Sequence, residues 1–336
     1  MITASAPAKV ILFGEHSVVY DRKGIAGAVN LRTSAKIRAN DEIKIVLEDY
    51  KKEKVLSEED LFYTLKEVEK HRQNQDYAKI KALYFDEFAP IKIAVAKALE
   101  TLNVRPFELR ITSRIPVGGL GSSSSIAASA AGAVQFFHTG EINPEYAAKA
   151  ANLGDVIAHG GTPSGIDAST VTFGGFIQFQ KSKGPKPLEI KKILPVVIGN
   201  TGIQAKTAAT VQHVRKLRER NPELVDWHLD EMNRIAEDAV KEVKRPNLKK
   251  LGELMNENQE HLRSLGVSHP KLEKLIKASI DAGAVGAKLS GGGGGGIMIA
   301  LCANENDQRN VSEAIEKHGG VAMITQIGTC GLKVFE

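Results

Sequence analysis

Between Phe107 and Phe137 the chain changes character twice, and few folds can accommodate the change. Phe107, Leu109 and Ile111 alternate with polar residues, as a half-buried strand does. That strand runs straight into Pro116-Val-Gly-Gly-Leu-Gly-Ser-Ser-Ser-Ser125, and a stretch of small residues then reads as a helix. Glycines just before a helix let the backbone turn tightly and approach a ligand. The free N–H groups and positive dipole end of the first turn then favour a polyanion. Serine hydroxyls there can cap the helix or meet a phosphate-bound magnesium ion. The plain alternative, a tight turn with a serine cap, accounts less well for four serines following three glycines. The loop lacks the lysine of a Walker loop, and no acidic residue follows a GxGxxG pattern, so a dinucleotide site is not expected.

Composition narrows the classes. The 336 residues are 42% hydrophobic and 25% charged, ordinary for a globular chain and long enough for two domains. Disorder, a collagen-like repeat and a disulfide scaffold are excluded. Lys+Arg 45 against Asp+Glu 40 leaves a net charge of +5. Aromatics are only 5% and no basic tract interleaves with them, so small anionic molecules are the expected partners and nucleic acid is not. Cys302 and Cys330 stand apart with no CxxC, as unpaired thiols of a reducing compartment do. No signal-like start and no apolar run of the ~18–20 residues needed to cross a bilayer is present, so a cytoplasmic chain without a membrane partner is expected.

Along the chain, residues 9–13 read as a buried strand and 34–47 as one or two more. Residues 57–81 are heavily charged and read as a solvated helical insertion or mobile lid. Helices are expected over 84–102 and 144–159, and a hairpin over 170–179 turning at Gly174-Gly175. The Lys/Pro-rich stretch 181–192 is the best linker, dividing the chain into 1–180 and 181–336. Four helical segments follow between 207 and 281, then a glycine run, a strand, a helix and two closing strands. Strands and helices alternate in both halves, so the class is α/β or α+β with a site in the cleft between two domains.

Three further constellations can carry chemistry. Asp155 and Asp167 flank one turn rich in Gly, Pro and Ser, where two carboxylates can hold a metal and act as a base. A solvated Asp155 and a merely capping Asp167 remain open on spacing alone. After Lys288-Leu-Ser come six glycines between two apolar stretches, each costing ~0.5–1 kcal/mol relative to Ala in regular structure. A backbone lying against a ligand explains that run better than a linker does. Finally, Lys9 sits inside an apolar strand ahead of Gly14-Glu15-His16, and a charge there needs a partner or a function.

Taken in order, Pro7 to His16, Pro116 to Ser125 and Lys288 to Gly296 resemble the three motifs of the GHMP kinase superfamily, which takes in galactokinases, homoserine kinases, mevalonate kinases and phosphomevalonate kinases. Gly14-Glu15-His16-Ser-Val-Val19 with His159-Gly-Gly-Thr-Pro-Ser-Gly-Ile-Asp167 is similar to the mevalonate kinase branch. The resemblance implies an α+β two-domain fold, with an N-terminal ribosomal-protein-S5-like domain and a C-terminal ferredoxin-like domain. It implies ATP-dependent phosphorylation of the 5-hydroxyl of mevalonate, in isoprenoid biosynthesis, with ATP and Mg2+ as cofactors. By the same resemblance Asp167 and Lys9 are catalytic, and Ser123 and Asp155 hold Mg2+. Pro116, Gly118, Gly119, Leu120, Gly121, Ser122, Ser123, Ser124, Gly292 and Gly293 cradle the nucleotide, while Glu15, His16 and Ser164 line the substrate end. The family commonly has Glu where Asp155 stands, an alanine within the third motif, and one glycine fewer before Thr162. A sister small-molecule kinase, a non-catalytic ligand sensor and an RNA-binding protein are the competing readings, and a homodimer is left open. Joint retention of Lys9, Ser123, Asp155 and Asp167 argues against the sensor.

Overall fold

The computed structural model of the chain describes residues 1–83, 86–116, 118–158, 164–190, 192–245 and 247–336. The chain opens with four strands, β1 (Ile2–Phe13), β2 (Gly24–Ala39), β3 (Ile43–Leu47) and β4 (Lys52–Leu56). Three helices follow, α1 (Glu58–Gln73), α2 (Tyr77–Ala82) and α3 (Ala89–Leu99), then β5 (Phe107–Ser113). Next come α4 (Ser122–Thr139), α5 (Pro144–Ala158), α6 (Ile166–Phe173), β6 (Phe176–Gln180), β7 (Gly184–Leu188) and β8 (Leu194–Asn200). Helices α7 (Thr207–Arg220), α8 (Pro222–Lys244), α9 (Leu248–Ser264) and α10 (Pro270–Asp281) run in series. The last elements are β9 (Gly286–Ser290), β10 (Ile297–Leu301), α11 (Glu305–Lys317), β11 (Val321–Ile327) and β12 (Lys333–Phe335).

One sheet path joins both halves in the order β4-β3-β5-β2-β11-β8-β10-β9, with β1, β6, β7 and β12 branching from it. The join is narrow: β11 meets β2 through the single pair Ile327 and Val29. The long β1–β2 ladder and the return of β12 onto β1 brace it. In β10 every residue is buried, as a strand covered on both faces must be. Ile297, Ile299 and Leu301 pack with Ile235, Leu251 and Met255 of α8 and α9, while Met298 and Ala300 join the cluster of Leu272, Leu275, Val311 and Ile315 from α10 and α11. The first of these clusters also takes in Val10 and Leu12 of β1, so apolar packing runs under the cleft from one half to the other. The architecture is the mixed two-lobed α+β fold the sequence leads one to expect.

Several local expectations change. Residues 58–73 do form a helix, opened by a Ser57–Asp60 capping box, but it is not merely solvated. Leu61, Leu65 and Val68 are buried against Ile91 and Val95 of α3. The segment expected to be a hairpin over 170–179 is the end of α6 followed by β6. Thr170, Val171 and Thr172 favour strands locally, but their burial inside the N-terminal half prevails. The expected linker 181–192 contains β7, hydrogen-bonded back onto β6. Helix α5 is described as far as Ala158, and His159 with residues 160–163 lies outside the described residues. Among the described residues no helix is long and apolar enough to cross a membrane.

Candidate active site

A cavity of 650 Å³ opens between the two halves, and the chemistry-bearing residues meet in it. Lys9 enters from the middle of β1 and Asp167 from the first turn of α6, with Lys9 Nζ 3.2 Å from Asp167 Oδ1. Both are largely shielded, at 8% and 18% side-chain exposure, so the pair is screened less than a surface pair would be.

The glycine–serine loop closes over Lys9. The Lys9 amide donates to the Leu120 carbonyl at 2.9 Å, tying β1 to the loop. Gly121 is the residue before α4 and has φ +69, and a Cβ there would come within 2.7 Å of Lys9 Cγ. No side chain caps α4, contrary to the simple capping alternative. The four serines divide instead. Ser125 Oγ donates to the Ala6 carbonyl at 2.8 Å and Ser124 Oγ to the Asp155 carboxylate, both inside the protein. Ser122 and Ser123 line the cavity with Gly118, Gly119 and Gly121. The N–H groups at the start of an 18-residue helix are thereby aimed at a wall of glycines and hydroxyls.

The glycine run contributes less to the cavity than its length suggests. Gly291 and Gly292 line it, with His16 Nε2 2.9 Å from the Gly292 carbonyl oxygen. Gly293 is buried, and a Cβ there would meet the Val267 carbonyl oxygen at 2.1 Å. At Gly295 the close neighbours are Ile203 and Gln204. The run therefore needs glycine chiefly because it threads between protein segments, and only its first two residues face the open space.

Glu15 lies in the cavity wall and is paired with Lys288 of β9, both side chains fully buried. Burial pushes the Glu15 carboxyl up and the Lys288 ammonium down, and each opposes the other's shift through its charge. Burial likewise holds His16 below the usual imidazole range, so its ring is neutral at pH 7. Lys288 begins the third motif, yet the sequence reading gives it no role. Its signal is the one that marks Lys9, a charge between apolar strand neighbours.

The remaining site candidates lie apart from the cavity wall. Pro116 is half-buried and Leu120 fully buried; neither lines the cavity. Ser164 is exposed and accepts weakly from the Ile166 amide at 3.4 Å. Asp155 is 1% exposed on α5, behind Ser124. Leu47, Tyr50, Pro90, Ile91 and Ile126 give the cavity an apolar wall, and Asp86 and Glu87 line it as well. No sequence motif marks those residues, because they come together only through folding.

Two family models match the chain, the GHMP kinases N terminal domain over residues 90–175 and the GHMP kinases C terminal over 239–321. The mevalonate kinase of Pyrococcus horikoshii is 40% identical over 100% of this chain and 98% of its own length. The crystal structure of the Methanococcus jannaschii mevalonate kinase superposes with a TM-score of 0.80 at 29% identity, covering 98% of both chains. That of the L. major mevalonate kinase in complex with R-mevalonate gives 0.77 at 25% identity, covering 97% of this chain and 96% of that one.

Proposed function

The chain belongs to the GHMP kinase family, beside the mevalonate kinases within it, and from that premise we propose that it transfers the terminal phosphoryl group of ATP to the 5-hydroxyl of mevalonate, giving 5-phosphomevalonate. The observation that carries this reading is the Lys9–Asp167 pair, set against the glycine–serine N-terminus of α4 in one cavity. Phosphoryl transfer asks a protein mainly for positioning and charge neutralisation. Asp167 takes the hydroxyl proton or orients that hydroxyl, and Lys9 stabilises both the carboxylate and the charge that develops on the alcohol oxygen. The backbone N–H groups from Gly118 to Ser123 hold the phosphates, with Ser124 and Gly292 supporting the cradle from behind and across the cavity. Glu15 and His16 line the alcohol end, and the apolar wall of Leu47, Tyr50, Ile91 and Ile126 receives the nucleobase.

The donors near the phosphate cradle are hard oxygens that suit magnesium, namely the Ser123 hydroxyl at the wall and the Asp155 carboxylate fixed by the neighbouring Ser124. When bound, the ion neutralises phosphate charge; Ser123 and Asp155 are the residues that would hold it. We place the reaction in the cytoplasm, with residues 1–180 and 181–336 as the two lobes. Cys302 and Cys330 are both free thiols, in keeping with a reducing compartment.

A coupled ADP-release assay against mevalonate, phosphomevalonate, homoserine and galactose tests the proposal. Mevalonate should give by far the highest kcat/KM. Preference for phosphomevalonate would move the chain to a sister kinase, and no turnover of any alcohol would favour the sensor reading.

A further inference from the structure

Helices α8 and α9 bring three ligating side chains together, with a fourth against one of them, at a place that contributes nothing to the catalytic cavity. One ligand atom each from Glu231, Glu257 and His261 lie within 4.8 Å of one another. His228 Nδ1 is 2.9 Å from His261 Nδ1, which places a second imidazole beside them. We propose that His228, Glu231, Glu257 and His261 bind one divalent transition-metal ion of the zinc, cobalt or nickel class, clamping α8 to α9.

Spacing supports the chelate. His228 and Glu231 are three residues apart on α8, and Glu257 and His261 four apart on α9, so each pair shares a helix face. Ligands around a tetrahedral zinc, at about 2.1 Å from the ion, stand about 3.4 Å from each other. Glu231, Glu257 and His261 already offer ligand atoms within 4.8 Å of one another, close to that spacing. Two imidazoles with two carboxylates select borderline metals over magnesium or calcium, which prefer oxygen throughout.

Arg234 shows that this place draws positive charge. It donates from Nε to Glu231 at 2.9 Å and pairs with Glu257 as well. Its side chain is 45% exposed and also meets Asp238 at 3.3 Å, so it can leave the two glutamates for solvent and keep a partner. The metal and Arg234 therefore compete for the same two carboxylates.

The protein carries its own reporter. Trp227 is the only tryptophan, and its ring centroid is 4.7 Å from that of His228 and 5.5 Å from that of His261. The full chain, stripped with a chelator, is titrated with Co2+ while tryptophan fluorescence is followed. Saturable quenching by one equivalent is expected, reversed by Zn2+ and unaffected by millimolar Mg2+. His261→Ala and Glu257→Gln should each weaken Co2+ binding at least tenfold, and Arg234→Gln should tighten it. Glu257→Gln sits at the surface end of the cluster and keeps the test valid if the buried His261 variant fails to fold; its kinase kcat should be unchanged. Non-saturating quenching in the wild type, or wild-type titration by Glu257→Gln, overturns the proposal.

Discussion

Lys288 donates from Nζ to the carboxylate of Glu15, 273 positions earlier in the chain, with both side chains shut off from solvent. The pair joins the first and third motifs and ties the C-terminal half to the wall of the cavity. Lys288 also donates to the Leu289 carbonyl at 2.7 Å, whereas Glu15 Oε2 has no hydrogen-bond partner among the described residues. Removing one partner of such a pair leaves an uncompensated charge, so Lys288→Met should cost about 3–5 kcal/mol of stability. Removing both charges, as Glu15→Gln with Lys288→Met, should restore a large part of that loss. Urea unfolding of Lys288→Met, Glu15→Gln and the double variant measures it, and additive losses would mean that the two groups are not coupled.

The Lys9–Asp167 pair gives a kinetic prediction. Asp167→Asn keeps the shape of the side chain but can neither accept a proton nor balance Lys9. Its kcat should fall by about 10²–10⁴, with little change in the KM for ATP. Steady-state kinetics checks this, and a variant with most of the wild-type kcat would remove Asp167 from the mechanism.

Much of this site was readable before the structure, for one physical reason. A lysine inside KVILF, a glycine–serine loop before a helix and an aspartate after a Gly/Ser turn are each costly unless something local or bound compensates them. What the sequence hid was of two kinds. Residues such as Tyr50 and Ile91 are ordinary core-like side chains whose convergence at the cavity depends on the tertiary fold alone. The first half of β1 alternates only through small residues, Thr3, Ala4, Ser5 and Ala6, and contains Pro7, so only 9–13 read as a strand. Pro7 is tolerated because the β1–β2 register shifts between Pro7 and Ala8, where a missing N–H disturbs the ladder least. The glycine run misled in the other direction. Its composition points to a ligand, while most of its contacts are with residues 203–210 and Val267.

Gly121 should behave differently from the other loop glycines. A methyl group at Gly119 would touch nothing nearer than Ile297 at 3.4 Å, whereas one at Gly121 would run into Lys9. Both positions have positive φ, so both substitutions strain the backbone by about 1 kcal/mol or more. Only Gly121→Ala should lower kcat by displacing the Lys9 ammonium, while Gly119→Ala should act mainly on the KM for ATP. Equal kcat losses in the two variants would show that Lys9 is not held by the loop.

Acid should weaken the fold through its buried imidazoles. His16, His138, His228 and His261 are all held below the ordinary value of 6.5, mainly by burial. Below that pH the unfolded chain binds protons that the folded chain refuses, so their contribution is complete above about 6.5 and is lost as pH falls. The Tm should drop between pH 7.5 and pH 5.5, and by less in His16→Gln than in the wild type. A His16→Gln slope equal to that of the wild type would mean that His16 titrates freely.

The last prediction concerns the carboxylate that is one methylene shorter than in most of the family. Asp155 is shielded behind Ser124, and Ser123 rather than Ser124 reaches the cavity. If Asp155 and Ser123 together hold magnesium, the Ser124 hydroxyl acts as an anchor that aims the short carboxylate. Asp155→Ala should then raise the Mg2+ concentration for half-maximal rate most strongly, Ser123→Ala next, and Ser124→Ala least, each with a smaller effect on the KM for mevalonate. Asp155→Glu should keep substantial activity, since the longer side chain restores the reach that is usual in the family. Magnesium titrations of the four variants at saturating ATP separate these cases. If Asp155→Ala titrates like the wild type at an unchanged maximal rate, Asp155 only braces α4 through Ser124. Asp167 would then be the carboxylate to test as the ligand, because it lines the cavity beside Lys9.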